Sequence, residues 1–155
     1  MIKILERLGV PRTLMLGFLA VAIFMTGDGF ELTFLSKFMV DQGFTSSQAS
    51  LLVTVYGLFA AFGGWSAGVL AEMFGARKVM MFGACWWIGV HLLFLGIAIP
   101  SHIYPLILCL YAMRGIGYPL FIYSFVVLMA QYISPSRLAS ATGFFWPCFS
   151  LGIGV

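Results

Sequence analysis

Long apolar stretches separated by short polar segments fill the chain from Thr13 onward. A helix needs about 20 apolar residues to cross a hydrocarbon core about 30 Å thick, and most of the stretches reach that length. Backbone polar groups in lipid must be satisfied within the segment, so each stretch is predicted to be helical. The predicted spans cover residues 13–38, 48–72, 79–99, 103–131 and 138–155. The last one has no polar flank, so we expect the N-terminal part of a longer protein, with about four and a half helices.

The polar segments between the spans carry helix-end signals. Thr45 with Gln48 three residues later is the pattern of a capping box at the start of the second helix. Gly75 is suited to close that helix. Pro100 and Ser101 separate the third span from the fourth. The pattern therefore predicts distinct helices in an all-α bundle.

The composition excludes a water-soluble domain. Of the 155 residues, 62% are hydrophobic and 8% are charged, with a mean hydropathy of +1.06. So few charged residues cannot build the polar shell that keeps an apolar core in solution. The first span is also too long for a signal peptide, and no small-residue cleavage site precedes its acidic residues. The predicted fold is a polytopic transmembrane helix bundle, and its surroundings are a lipid bilayer.

The distribution of basic residues predicts the orientation in the membrane. Lys37 lies near one side, and the other bases fall in alternate segments on the opposite side: Lys3, Arg7, Arg12, Arg77, Lys78 and Arg137. Cytoplasmic loops are enriched in Lys and Arg, so the N-terminus is expected in the cytoplasm. The net charge of +3 is thereby explained, and it does not indicate a nucleic-acid partner.

Cysteines and histidines do not form a metal-binding pattern. Cys85, Cys109 and Cys148 all fall in apolar runs, where reduced packing residues are expected. His91 and His102 offer no tight cluster of ligands, so neither a metal nor another cofactor is expected. His91 lies in the middle of the third span; we expect a hydrogen-bonded structural residue, with a titrating group as the alternative.

Charged residues within the spans are the sharpest functional signal. Asp28 and Glu31 are three residues apart and share a helix face, and Asp28 lies about 22 Å along the helix from Thr13. Arg114 lies about 16 Å from Ile103 and near the midplane. A buried charge costs about 2.5–3.5 kcal/mol on insertion scales and tends to mark a transport pathway or a buried pair. We hypothesise that Arg114 pairs with Asp28 or Glu31 at rest, and that substrate or a proton changes this pairing during transport. The alternatives are a static ion pair and a Glu31 that reaches the outer interface.

Small residues form a stripe along the second helix. Its members are Gly57, Ala60, Ala61, Gly64, Ala67, Gly68 and Ala71. Such a stripe, with the step from Gly64 to Gly68, lets another helix approach closely. We interpret it as helix packing without substrate contact.

The end of the second helix combines glycines with charges. Glu72 faces the negative end of the helix dipole, which is unfavourable unless a cation compensates, and Arg77 and Lys78 follow the turn at Gly75. Together with Gly68, this spacing resembles the loop signature of the major facilitator superfamily. The resemblance implies a gating salt-bridge cluster that holds one access state. The alternative is a loop that only orients and stabilises the helices.

The resemblance extends to other motifs. Arg114 followed by Gly115 and Gly117 is similar to the fourth-helix signature of the superfamily. The segments 25–32 and 114–125 look like bacterial polyol permeases, and the likeness covers nearly the whole chain. It implies a bacterial inner-membrane protein of about twelve helices in two halves, of which the C-terminal half is absent here. It also implies inward transport of ribitol or D-arabinitol, with protons.

A neutral polyol requires aromatic faces for its C–H surface and a few polar partners for its hydroxyl groups. The candidates for such a lining are Tyr56, Tyr118, Tyr123, Ser124, Gln131 and Trp146. Aromatic residues make up 17% of the chain, so most of them are expected at lipid or interfacial positions.

Three functions remain open: a proton-coupled polyol symporter, a transporter of a sugar or small organic anion with Arg114 as an anion clamp, and a non-transporting membrane enzyme or subunit. Asp28 and Glu31 favour the first, because like charges oppose the binding of an anion. The enzyme interpretation lacks a metal cluster, a nucleophile motif or a phosphate-binding loop. We therefore expect alternating-access transport and no catalysis.

Overall fold

A computed structural model describes residues 12–153 of the chain, and the side chains of residues 14–151. Every regular element in that part is helical. The elements are α1 (Arg12–Asp41), α2 (Ser46–Phe74), α3 (Ala76–Leu93), a π-helical turn (Phe94–Ala98), α4 (Ile99–Ser101), α5 (Tyr104–Tyr132) and α6 (Pro135–Ile153). The predicted cytoplasmic residues Lys3 and Arg7, the side chain of Arg12 and the end of the last predicted span lie outside the described residues.

Four helical stretches in the described part are long and apolar enough to cross a membrane. They are Leu14–Asp41, Ser46–Phe74, Ala76–Ser101 and Tyr104–Tyr132. Large apolar side chains on them face outward, with Leu16 75% exposed and Trp65 74% exposed. Such outward apolar surface suits lipid and not water. The predicted all-α transmembrane bundle is confirmed.

The predicted helix ends around α2 are also confirmed. The Gln48 backbone N–H donates to Thr45 Oγ1 at 3.2 Å, and the Thr45 N–H donates to Gln48 Oε1 at 2.9 Å, which completes a capping box. Gly75 has a φ of +88°, and its N–H donates to the Ala71 carbonyl at 3.0 Å. A side chain is strained at such a positive φ, so glycine suits this turn.

The third apolar stretch contains a π-helical turn. The Ile99 N–H donates to the carbonyl of Phe94, five residues earlier, instead of four. Phe94 and Ala98 are buried. The helical run then continues through Pro100, and the chain changes direction at His102, whose φ is +53°. Insertions of this kind occur mostly as single turns and often near functional sites.

The chain divides into two compact units. Among the described residues, one unit comprises residues 12–38 and 128–153, and the other comprises residues 39–127. In the first unit, Phe18 of α1 packs edge-on against Phe144 of α6, with ring centroids 5.5 Å apart. The second unit holds α2, α3 and most of α5.

Glycines let the helices of the second unit approach closely. A Cβ added at Gly63 of α2 would lie 2.8 Å from the Ile116 carbonyl oxygen of α5, and one added at Gly64 would lie 2.8 Å from Tyr123 Cε2. At Gly68, nothing among the described residues lies within 4 Å of such a Cβ. The predicted close approach therefore exists, but it runs through Gly63 and Gly64 and not through the step to Gly68.

Candidate functional site

Arg114 is completely buried in the first half of α5, with 0% of its side chain exposed. A buried charge is costly unless surrounding groups compensate for the lost hydration. The sequence predicted an intramembrane position for this residue. The groups around Arg114 must therefore compensate for the hydration that its guanidinium has lost.

Aromatic rings from three helices surround the guanidinium. Its Cζ atom lies 4.2 Å from the ring centroid of Trp87 in α3, 5.3 Å from that of Tyr111 in α5 and 5.6 Å from that of Tyr56 in α2. All three distances fall within the range of cation–π attraction, which reaches about 2 kcal/mol in a desolvated site. We call Tyr56, Trp87 and Tyr111 the aromatic box.

The rings of the aromatic box are themselves packed on other rings. Tyr56 and Tyr111 have centroids 5.0 Å apart, and Phe94 lies 5.3 Å from Tyr111. The His91 ring stacks on Trp87, with a centroid separation of 5.0 Å and an interplanar angle of 20°. His91 therefore belongs to the packing around the box, whereas the hydrogen bond expected for it stays a prediction.

The two glycines after Arg114 bring α5 against both neighbouring helices. A Cβ at Gly115 would lie 2.6 Å from the Tyr56 carbonyl oxygen, so α2 leaves no room for a side chain. A Cβ at Gly117 would lie 2.9 Å from the Cβ of Trp87. The close packing at Gly115 and Gly117 thus fixes the position of α5 along α2 and α3, and with it the position of the Arg114 guanidinium in the aromatic box.

A hydrogen bond reinforces this contact between α3 and α5. The Trp86 indole N–H donates to the backbone carbonyl of Met113 at 2.8 Å. Met113 precedes Arg114 directly. The two adjacent tryptophans of α3 therefore contact different parts of α5: Trp86 is hydrogen-bonded to its backbone, and Trp87 contacts the guanidinium of Arg114.

Asp28 and Glu31 lie on α1, in the other compact unit. Asp28 is 2% exposed, and Glu31 is half-buried. The structure therefore places a carboxylate inside the protein, as the sequence suggested. The pairing of either acid with Arg114 stays a prediction.

Two threonines flank Asp28 along α1 and bond back to the helix. The Thr26 hydroxyl donates to the Ala22 carbonyl at 2.8 Å, and the Thr33 hydroxyl donates to the Gly29 carbonyl at 2.9 Å. Such back-bonding slightly destabilises helices and often bends them. The acidic segment therefore carries a helix-bending hydrogen bond on either side of Asp28.

The other lining candidates differ in exposure. Tyr56 belongs to the aromatic box, whereas Tyr118 is half-buried, Tyr123 is 46% exposed and Trp146 is 55% exposed. The Tyr123 ring packs on α2 at Gly64. The structure thus brings Tyr56 to Arg114, and it places Tyr123 and Trp146 largely at the outer surface of the described residues.

Sequence reasoning missed Trp87 and Tyr111. A signal for Tyr111 was available, because it precedes Arg114 by three residues and so shares its helix face. Trp87 carried no comparable signal. Its position over Arg114 depends on the crossing of α3 and α5, which the sequence spacing does not give.

The predicted gating loop is exposed at the junction of α2 and α3. Glu72 lies in the last turn of α2, and Arg77 and Lys78 lie in the first turn of α3; all three side chains are exposed. Gly68 is exposed as well, and Gly75 forms the turn. Each charge opposes the dipole of its own helix and suits that of the neighbouring helix end.

Within the described part of the chain, no group of three or more His, Cys, Asp or Glu residues has the arrangement of a metal site. The cysteine thiols are free, with Cys85 and Cys109 exposed and Cys148 buried.

Comparison with known proteins identifies relatives that are transporters. The chain is 47% identical over 147 residues to the ribitol transporter of Klebsiella pneumoniae, which covers 95% of this chain and 34% of that protein. It is 46% identical over 148 residues to the D-arabinitol transporter of the same organism, covering 96% of this chain and 35% of the relative. It is also 40% identical over 153 residues to the alpha-ketoglutarate permease of Bacillus subtilis (strain 168), covering 99% and 35%.

The chain therefore spans about a third of the length of the curated relatives it matches. No solved structure matches it. The sequence model of the Major Facilitator Superfamily matches residues 16–155, which is most of the chain. The resemblance indicated by the loop and fourth-helix motifs is confirmed, and the chain belongs to the Major Facilitator Superfamily.

Proposed function

We propose that the protein containing this chain is a secondary active transporter of a small polyol, ribitol or D-arabinitol, which works by alternating access with proton symport. The observation that carries the proposal is the fully buried Arg114 in its aromatic box. Relatives named as ribitol and D-arabinitol transporters give the substrate class. We place the protein in a bacterial inner membrane with its N-terminus in the cytoplasm.

The chemistry of the box suits a polyol. Aromatic faces bind the C–H surface of a sugar-like molecule, and a few polar groups fix its orientation. A guanidinium supplies five N–H donors in a rigid plane and keeps its charge at any physiological pH. Arg114 would donate to hydroxyl oxygens, while Tyr56 and Tyr111 supply ring faces beside it.

The acids of α1 suit a proton carrier. A carboxylate in apolar surroundings gains stability when it takes up a proton, because the neutral form is cheaper to bury. Asp28 is buried and Glu31 is half-buried. Protonation from one side of the membrane and release to the other would link the proton gradient to the change of access.

The loop between α2 and α3 would stabilise one access state. Glu72, Arg77 and Lys78 are exposed, and we propose that they pair with charged groups of the C-terminal half of the protein. Such pairs form and break at small energetic cost in a hydrated setting, which suits a gate. The alternative is a loop that only orients the helices.

A second candidate substrate is a small dicarboxylate. The relative named alpha-ketoglutarate permease is 40% identical to this chain, and a buried arginine is well suited to bidentate binding of a carboxylate. In that case Asp28 and Glu31 would have to be protonated or turned away from the substrate, because like charges oppose binding. The two candidates therefore differ in the charge of the substrate that Arg114 meets.

Uptake of radiolabelled ribitol by cells expressing the full-length protein tests the proposal, with and without a protonophore. Cells carrying an empty vector are the control, and radiolabelled 2-oxoglutarate is measured in parallel. Saturable ribitol uptake that the protonophore abolishes is the expected result. Saturable uptake of 2-oxoglutarate alone would establish the second candidate. Uptake of neither compound, nor of radiolabelled D-arabinitol, would overturn both substrate classes without affecting the family assignment.

A further inference from the structure

We propose that Trp87 is a positioning residue, whose indole face holds the guanidinium of Arg114 in the orientation used for transport. The role in transport rests on the function proposed above, whereas the contact itself does not. Trp87 lies on α3 and Arg114 on α5, so the contact also joins two helices.

Trp87 makes the shortest contact in the aromatic box. Its centroid lies 4.2 Å from the guanidinium carbon, whereas the Tyr111 and Tyr56 centroids lie 5.3 and 5.6 Å away. Indole is also the strongest of the aromatic side chains in cation–π attraction. Both the geometry and the chemistry therefore give Trp87 the largest share of the interaction.

Trp87 is itself fixed by contacts that do not involve the guanidinium. Its backbone nitrogen and Cβ would each lie 2.9 Å from a Cβ added at Gly117, so α3 is pressed directly against α5 at this point. Its ring stacks on His91 at 5.0 Å. A ring that is held at both its backbone and its face offers Arg114 a fixed surface.

An aromatic partner has a different effect from a carboxylate. A carboxylate accepts hydrogen bonds from the in-plane N–H groups of a guanidinium and neutralises its charge. A ring face attracts the cation through its quadrupole and accepts no such bond in that plane. Trp87 therefore orients Arg114 without occupying its in-plane N–H groups.

A double-mutant cycle on the purified full-length protein in detergent measures the contact without any substrate. The variants are Trp87→Leu, Arg114→Met and their combination, and the readout is the free energy of unfolding. We expect a coupling equivalent to about a tenfold change in the unfolding equilibrium, since desolvated cation–π pairs reach this size. Trp65→Leu, the same change at a 74% exposed tryptophan of α2, is the matched control and should show no coupling to Arg114→Met. Additive effects of Trp87→Leu and Arg114→Met would overturn the inference.

Transport kinetics test the positioning role. Trp87→Leu should lower Vmax/KM by about tenfold, and Trp87→Phe, which restores a ring face, should recover most of that loss. Trp65→Leu should leave the kinetics unchanged at equal amounts of protein in the membrane. Equal impairment by Trp87→Phe and Trp87→Leu would show that ring-face contact is not what matters, and it would overturn the role.

The two tests separate this inference from the proposed function. If the protein does not take up ribitol, the kinetics are measured with the substrate that it does transport, and the unfolding cycle needs no substrate. Coupling in the cycle without ribitol uptake would therefore refute the proposed substrate and support the contact. Ribitol uptake together with additive effects in the mutant cycle would support the proposed substrate and refute the contact.

Discussion

Arg114 and the pair Arg77–Lys78 are cations of the same unit in opposite surroundings. Arg114 is fully buried and faces aromatic rings, whereas Arg77 and Lys78 are exposed in the first turn of α3. Hydration stabilises the exposed pair at little structural cost, but Arg114 requires a surrounding built from three helices. Burying such a charge costs free energy, so an intramembrane charge tends to have a functional role.

The acids show the same contrast. Asp28 is 2% exposed within α1, and Glu72 is exposed at the end of α2. Hydration stabilises an exposed carboxylate, whereas a buried one depends on the groups around it. Under the proposed function, the buried charges serve the steps that change protonation or bind substrate, and the exposed charges serve weak, reversible pairing.

Replacement of the buried cation should have the largest effect. Arg114→Met keeps an unbranched side chain but removes the charge and all N–H donors, so uptake should fall about 100-fold, the size expected for losing a charged hydrogen-bond donor. Arg77→Met should change uptake by at most about fivefold, because exposed pairs contribute little. Initial uptake rates at matched protein levels measure both. Similar losses for the two variants would remove the distinction between buried and exposed charges.

Neutralisation of the buried acid should separate accumulation from exchange. In Asp28→Asn, the side chain cannot carry a proton, so accumulation of substrate against a gradient should be lost while exchange across the membrane persists. Glu31→Gln tests the neighbouring acid in the same way. Glu72→Gln should retain accumulation, since its carboxylate is exposed. Accumulation that survives both Asp28→Asn and Glu31→Gln would rule out these acids as proton carriers.

The smallest effect should come from a methyl group beside the buried cation. Gly115→Ala places a Cβ about 2.6 Å from the Tyr56 carbonyl oxygen, so α2 and α5 must move apart. Overpacking of this kind costs about 1–3 kcal/mol in the free energy of unfolding. Gly57→Ala is the control: nothing among the described residues lies within 4 Å of the added Cβ, so this change should be neutral or slightly stabilising. Thermal unfolding of the purified full-length protein gives the comparison, and equal midpoints would mean that α5 tolerates the separation.

The fold was largely predictable because membrane helices follow from one-dimensional patterns. Apolar length and local end signals such as Thr45, Gln48 and Gly75 determine where helices begin and end, and these signals act within a few residues. The helix bounds nevertheless extend beyond several of the predicted spans, because polar residues such as Asp41 and Arg77 continue the helix past the apolar stretch. Hydropathy marks the part of a helix in lipid and not its hydrogen-bonded length.

The candidate site was predictable only in part. The cost of burying a charge in the membrane singled out Arg114 and Asp28 from the sequence alone, because charged residues are rare within transmembrane segments and tend to be functional. The partners of Arg114 were not predictable, because Trp87 reaches it across a helix crossing. The small-residue stripe was predicted only in part: Gly64 packs on α5, but so does Gly63, which the stripe did not include, and nothing among the described residues lies within 4 Å of a Cβ added at Gly68. The packed face of a helix depends on the direction from which its neighbour approaches.

The π-helical turn at Phe94–Ala98 has a consequence for how this chain can change in length over evolution. Deleting one residue elsewhere in α3 would rotate everything beyond it by about 100° and turn buried side chains outward. The bond from the Ile99 N–H to the Phe94 carbonyl encloses four residues instead of the three of an α-helical turn, so a deletion among the exposed residues Leu95, Gly96 and Ile97 would restore the ordinary pitch. The helix can therefore lose a residue at this point while the face that carries Trp87 keeps its register.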